Sequence, residues 1–179
     1  MAAGDSEAAV LRGIRALLLD VDGVLTDGLL HFDGQGRELK SFHVHDGAGL
    51  VYWQRTGHLT GFISGRESQV VRERAAELKV AEVHLGARPK LESYQEILAR
   101  HQLREDEVCF VGDDLLDLPV LMRCGLPVTV PAGRPEVKAH CRWVTSAEGG
   151  RGAVREVVER LLKAKGLWDE VVRGGGRRC

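Results

Sequence analysis

The stretch Leu17-Leu18-Leu19-Asp20-Val21-Asp22-Gly23-Val24-Leu25-Thr26-Asp27-Gly28 constrains this chain more than any other. An apolar run ends in two carboxylates separated by one residue, and a glycine follows. Such a run reads as a central strand of a parallel sheet, apolar on both faces because helices cover both. Asp20 and Asp22 then fall where the strand stops, and ligands of open α/β sheets sit outside those carboxyl ends. Two acids this close repel each other unless a cation neutralises one or one holds a proton. The stretch points to a metal, to proton transfer, or to both. An ordinary strand ending in a solvated acidic turn is the alternative.

Strand and helix patterns alternate along the rest of the chain. Residues 1–12 read as an irregular lead-in, and a strand spans 14–19. Residues 28–44 read as a β-hairpin: Leu29 to Phe32, a turn at Asp33-Gly34-Gln35-Gly36, then Leu39 to Val44. His43 and His45 flank Val44 and would share one strand face. With no third nitrogen or sulfur ligand nearby, they read as surface or interface histidines. Asp46 is the expected N-cap of a helix over 47–56. A strand over 59–63 ends at Ser64-Gly65-Arg66 and leads into a helix over 67–78. A strand over 80–85 is followed by a turn carrying Pro89 and Lys90, then a helix over 91–101. The apolar strand over 107–111 ends at Gly112-Asp113-Asp114 and precedes a helix over 116–123 with Asp117 in its first turn. Strands over 126–130 and 142–145, a short helix between them and a last helix over 152–165 complete the pattern. It predicts one α/β domain over 13–168 built on a doubly wound parallel sheet, with a disordered tail over 169–179.

Bulk properties exclude several classes. The 25 Lys and Arg balance 26 Asp and Glu, so no field of one sign points to nucleic acid or an anionic membrane as partner. No apolar run reaches the length of a membrane helix, and no signal-peptide segment opens the chain, so a cytoplasmic location is expected. Cys109, Cys124, Cys141 and Cys179 form no C-x-x-C pair and resemble neither a zinc site nor a disulfide framework; Cys109 reads as a core thiol.

Polar clusters close four strands: Asp20 and Asp22, Ser64 with Gly65 and Arg66, Lys90, and Asp113 with Asp114. In a parallel sheet all these ends share one edge, so the groups converge. Ser64 offers a hydroxyl, Gly65 a backbone N–H and Lys90 an ammonium, a set suited to a phosphate. The surrounding acids would repel that phosphate unless Mg²⁺ lay between Asp20 and Asp113. A carboxylate aimed at phosphorus acts as a nucleophile through an aspartyl-phosphate, and its neighbour moves the proton.

The segments D-V-D-G-V-L-T-D-G, S-G-R, Lys90 and G-D-D-L-L-D resemble, in order and spacing, the four motifs of the haloacid dehalogenase (HAD) superfamily of phosphatases. T-D-G, F-H-V-H-D-G-A-G-L, G-D-D-L-L-D-L-P-V-L and G-G-R-G-A-V-R-E are similar to one branch, the 3-deoxy-D-manno-octulosonate 8-phosphate (KDO 8-P) phosphatases and their relatives acting on nine-carbon acid-sugar phosphates. Where that branch has a basic residue before D-G, this chain has His45. The resemblance implies a Rossmann-like, HAD-like fold and a Mg²⁺-dependent phosphatase of an acidic sugar phosphate. It implies Asp20 as nucleophile and metal ligand. Asp22 would be acid/base and ligand through its carbonyl, and Asp113 the third ligand. Asp114 would support the metal's waters, and Ser64, Gly65 and Lys90 would hold the phosphoryl group. Asp117 would orient Lys90 or its loop, and Thr26 would brace the acidic turn. Arg66, Arg151 and Arg155 are candidate substrate contacts.

The only insert near the first motif is the hairpin, so no cap domain is expected. The branch implies a homotetramer in which hairpins pack together and neighbouring subunits line each site. Apolar hairpin faces agree with burial between subunits. The alternatives are a nine-carbon 9-phosphate phosphatase, a dehalogenase or phosphomutase, and a non-catalytic tetramerising scaffold. Asp22 opposes the dehalogenase, which has no alkoxide to protonate. The missing cap opposes the mutase, which must shield an intermediate from water. Retention of Asp22, Lys90 and Asp113 together opposes the scaffold.

Overall fold

The computed structural model describes residues 3–174. Strands β1 (Ala16–Leu19), β4 (Leu59–Ser64), β5 (Glu82–Leu85), β6 (Val108–Val111), β7 (Leu126–Thr129) and β8 (Trp143–Val144) form one parallel sheet in the order β5-β4-β1-β6-β7-β8. The chain builds outward from β1 through β4 to β5, then crosses to β6 and builds the other way. The winding direction therefore reverses beside β1, and ligands bind in the crevice at such a reversal.

Every residue of β1 is buried because both faces of the sheet are covered. Alternation divides them between two cores. Leu17 and Leu19 pack with Phe62, Leu50, Trp53 and Val157 on one side. Ala16 and Leu18 pack with Ile63, Tyr94, Phe110 and Val120 on the other. The first layer holds α1 (Ala3–Gly13), α2 (Val44–Arg55), α3 (Gln69–Glu77) and α7 (Ala153–Ala164); the second holds α4 (Lys90–His101), α5 (Leu118–Leu121) and α6 (Pro135–Lys138). The hairpin is short: β2 (His31–Phe32) pairs antiparallel with β3 (Glu38–Leu39) in a separate ribbon. Among the described residues no further domain is inserted between the strands, so the carboxyl edge of the sheet carries the hairpin and no cap.

Several expectations need correction. The lead-in is helical, because α1 buries Leu11 against the first core. Residues 169–173 of the expected tail are helical, part of α8 (Trp168–Arg173), whose Trp168 packs on the same core; residues 175–179 lie outside the described residues. His43 and His45 do not share a strand face: His43 is the N-cap residue of α2 and His45 lies in its first turn. Asp46 does not cap its own helix. Its buried carboxylate accepts hydrogen bonds from the Gly152 N–H at 3.2 Å and the Arg155 N–H at 2.8 Å, so it caps α7 instead. The orphan amides of a neighbouring helix satisfied that carboxylate once α2 and α7 packed together.

Candidate active site

The acidic turn after β1 is held by its own residues and by a distant segment. The Thr26 hydroxyl oxygen accepts from the Gly23 N–H at 3.3 Å and the Gly28 N–H at 3.2 Å. Gly149 lies so close that a Cβ there would overlap the Gly23 carbonyl oxygen, and a Cβ on Gly23, whose φ is +94°, would overlap the Asp113 carboxylate. These two positions require glycine to bring the first and last motifs into contact.

Asp20, Asp22, Ser64, Gly65, Arg66, Lys90, Asp113, Asp114 and Asp117 line one cleft of about 290 Å³, together with Gly28, Arg88 and Leu116. β1, β4, β5 and β6 deliver these groups from distant parts of the sequence because their carboxyl ends share one edge. Lys90 stands at the start of α4, where burial leaves its ammonium only carboxylates to face. Its Nζ lies 2.7 Å from Asp20 Oδ1 and 2.6 Å from Asp117 Oδ1. Asp117 is fully buried, and its other oxygen accepts from the Asp113 N–H at 2.9 Å and the Asp114 N–H at 3.1 Å. Asp117 thereby holds both the lysine and the loop that presents Asp113.

Among the described residues, the carboxylates gathered within 4.8 Å of one another are Asp20, Asp113 and Asp117. Both Asp117 oxygens are already engaged, whereas Asp113 Oδ1 is buried and has no hydrogen-bond partner. A buried, unpartnered carboxylate oxygen beside a second carboxylate fits a divalent cation. The Asp22 carboxylate lies outside this cluster and accepts instead from Lys40.

Burial and crowding of like charges raise two acids of this cluster, Asp113 and Asp20. Burial pushes Asp113 up to about 8, and the Asp20 and Asp117 charges add to the shift. Burial, then Asp117, raises Asp20 to about 6 although Lys90 opposes the shift. Burial alone would lower Lys90, but Asp20 and Asp117 outweigh it and hold the ammonium above its ordinary range. A carboxyl raised above its unfolded value contributes stability that is present below about pH 4 and lost as pH rises through about 8. A cation bound to the ionised carboxylates offsets that loss. At Mg²⁺ near a hundred times its Kd we therefore expect a Tm gain of about 5–10 °C at pH 8 and a much smaller gain at pH 5. Thermal unfolding with EDTA or Mg²⁺ at both pH values reads this, and Asp113→Asn should flatten the difference.

Ser64 is buried with its hydroxyl toward its own loop, where Oγ accepts from the Arg66 N–H at 3.2 Å. Arg66 donates to Glu38 of β3 at 3.0 Å, which places it between cleft and hairpin. Arg151 lies outside the cleft, in a neighbouring pocket with Asp27, His43 and Gly150. Arg155 is not brought to the cleft: its guanidinium sits over the Tyr52 and Trp168 rings and donates to Glu159 at 2.8 Å. The sequence reading missed Lys40, Glu38 and Arg88. Arg88 Nε donates to the Gly65 carbonyl at 2.9 Å, and its place beside Lys90 in the Gly86–Lys90 turn was the one available signal. Cys109, Cys124 and Cys141 are free thiols raised by burial, Cys124 and Cys141 to about 12, which suits packing and not nucleophilic chemistry.

A doubly wound sheet with a strand-end carboxylate, a Ser-Gly turn, a buried lysine and a G-D-D loop in one cleft defines a HAD-type phosphatase. Residues 88–157 match the family of haloacid dehalogenase-like hydrolases. The chain is 40% identical over 162 residues to the 3-deoxy-D-manno-octulosonate 8-phosphate phosphatase of Escherichia coli, across 90% of this chain and 86% of that one. Among solved structures it is similar to the phosphatase of that name from Moraxella catarrhalis, in complex with magnesium, phosphate and KDO. The TM-score is 0.93 and the identity 32%, over 96% of this chain and 98% of that one. It is also similar to the cobalt-bound enzyme of Haemophilus influenzae, with a TM-score of 0.84 and 36% identity over 88% of this chain and 92% of that one. The chain belongs to the 3-deoxy-D-manno-octulosonate 8-phosphate phosphatase family of the HAD superfamily, and it is a phosphatase.

Proposed function

We propose that this chain hydrolyses 3-deoxy-D-manno-octulosonate 8-phosphate to the free acid sugar and inorganic phosphate, with Mg²⁺ as cofactor. The observation that carries the reading is the convergence of Asp20, Lys90 and the unpartnered Asp113 oxygen in the cleft that Ser64 and Gly65 line. The identity to relatives with that activity supports the choice of substrate.

In this reading an Asp20 oxygen attacks phosphorus and the ester P–O bond breaks. The departing alkoxide takes a proton from Asp22, leaving an aspartyl-phosphate on Asp20. Water then attacks phosphorus and gives a proton to Asp22. The bond to Asp20 breaks, phosphate leaves and both carboxyl groups are restored. Lys90 neutralises phosphoryl oxygens, while Ser64 and the Gly65 N–H orient them. Asp20, Asp113 and the Asp22 carbonyl would hold Mg²⁺, with Asp114 on its waters; the ion supplies charge neutralisation for the approaching phosphate. Thr26 braces the turn that presents both acids.

Without a cap, the cleft opens to solvent beneath the hairpin. Leu29, Leu30, Phe32 and Leu39 are each more than half exposed there, which supports burial between subunits of a homotetramer. Arg66, and Arg151 from its adjoining pocket, are then substrate contacts. Among the described residues no helix is long and apolar enough to cross a membrane. The proposed setting is the cytoplasm.

A panel of sugar phosphates with Mg²⁺ tests the substrate. The expected outcome is a kcat/KM for KDO 8-P at least about tenfold above nine-carbon 9-phosphates and simple hexose phosphates, a difference of 1.4 kcal/mol in transition-state binding. EDTA should abolish turnover. Preference for a 9-phosphate would move the substrate, and no turnover of any ester would favour a scaffold.

A further inference from the structure

Lys40 lies just beyond β3, on the arm of the hairpin that returns toward the acidic turn. Its side chain is 1% exposed. An ammonium this deep is costly unless carboxylates satisfy it. Those that do are Asp22, to which Nζ donates, and Glu38 at 3.3 Å. Among the described residues, Lys40 is the one hydrogen-bond partner of the Asp22 carboxylate. Glu38 in turn accepts from Arg66 at 3.0 Å and from the Ser68 hydroxyl. Ser68 caps α3, directly beyond Ser64-Gly65-Arg66. One chain of charged contacts thus joins Asp22, the hairpin and the loop after β4.

We propose that Lys40 is a positioning residue for Asp22, holding the carboxyl group in the pose from which it exchanges its proton with the leaving oxygen. The inference rests on the reading of Asp22 as acid/base. The Asp22 side chain lines the cleft and is 19% exposed, and Lys40 supplies its one hydrogen bond among the described residues. A general acid must lie within hydrogen-bond reach of the oxygen it protonates, and a misplacement of about 1 Å costs roughly 100-fold. The hairpin turn itself does not use this lysine. Its turn is held by Asp33, which accepts from the Gln35 and Arg37 N–H groups and from the Arg37 side chain. The lysine's contribution is directed at the acid, so the pose of the hairpin becomes part of the catalytic geometry.

A pair of substrates with different leaving groups separates positioning from folding. KDO 8-P releases an alkoxide that needs a proton; p-nitrophenyl phosphate releases a stable phenolate that needs none. kcat/KM reports the steps through cleavage of the first P–O bond. Lys40→Met is expected to lower kcat/KM for KDO 8-P by roughly 10- to 100-fold and to leave p-nitrophenyl phosphate within about threefold. Asp22→Asn should discriminate the same way and more strongly. Equal losses on both substrates, or none on KDO 8-P, in Lys40→Met would overturn the proposal while leaving the role of Asp22 intact. An Asp22→Asn enzyme that failed to discriminate would overturn the acid role itself, and the positioning role with it. If Lys40→Met does not fold, Lys40→Gln, which keeps a polar donor, is read on the same pair.

Discussion

Asp20→Asn is expected to lower phosphate release by roughly 10⁴-fold or more, since removing a covalent nucleophile takes the whole pathway with it. Asparagine keeps the shape of the side chain but lacks the anionic oxygen that forms the bond to phosphorus. The fold should tolerate the change. Burial, and after it the Asp117 charge, raises the Asp20 carboxyl to about 6, so a neutral isostere relieves repulsion with Asp117. Lys90 keeps its 2.6 Å contact with Asp117. Turnover and thermal unfolding measured together decide the matter: lost turnover with Tm within a few degrees supports Asp20 as nucleophile, and retained turnover removes it from that role.

Lys90→Met should be damaging in both respects. It removes the cation that Asp20 and Asp117 share and leaves three carboxylates within 4.8 Å without their counter-charge. Breaking a buried ion pair by deleting one partner costs about 3–5 kcal/mol, which for a domain of this size is a Tm fall of roughly 10–15 °C. Activity should fall by about 10²–10³-fold from the lost phosphoryl contact alone. Saturating Mg²⁺ is expected to recover much of the stability by neutralising Asp20 and Asp113, but little of the activity. Recovery of both would mean that Lys90 serves the fold and not the phosphoryl group. A Tm unchanged in EDTA would mean that the three acids do not depend on it.

The fold was legible because its determinants are local. The Leu17–Leu19 run, the Leu59–Ile63 run and the Val108–Val111 run each announce a strand buried on both faces, and the helical spacing between them forces parallel crossovers. The topology then obliges Asp20, Ser64, Lys90 and Asp113 to meet, so a cleft follows from knowing which strand ends carry charge. Boundaries were less legible. α2 starts at Val44, not at Gly47, and Asp46 lies inside its first turn with its carboxylate turned to α7.

Partners of charged groups lay beyond sequence reading. Asp46 looks like a cap for the residues that follow it, yet it binds amides 106 and 109 positions away. Lys40 looks like one polar residue in a hairpin, yet it is buried on Asp22, 18 positions back. Asp117 sits in the first turn of a short helical segment, but its side chain is the hub joining Lys90, 27 positions away, to the Asp113 loop. The residue pattern by itself determined the sheet, the strand ends and the chemical types gathered there, since hydrophobic period and chain direction need only neighbours a few residues apart. Tertiary structure alone decided which carboxylate faces which cation and which oxygen is left without a partner, because a buried charge takes whatever packing brings within about 3 Å of it, regardless of distance along the chain.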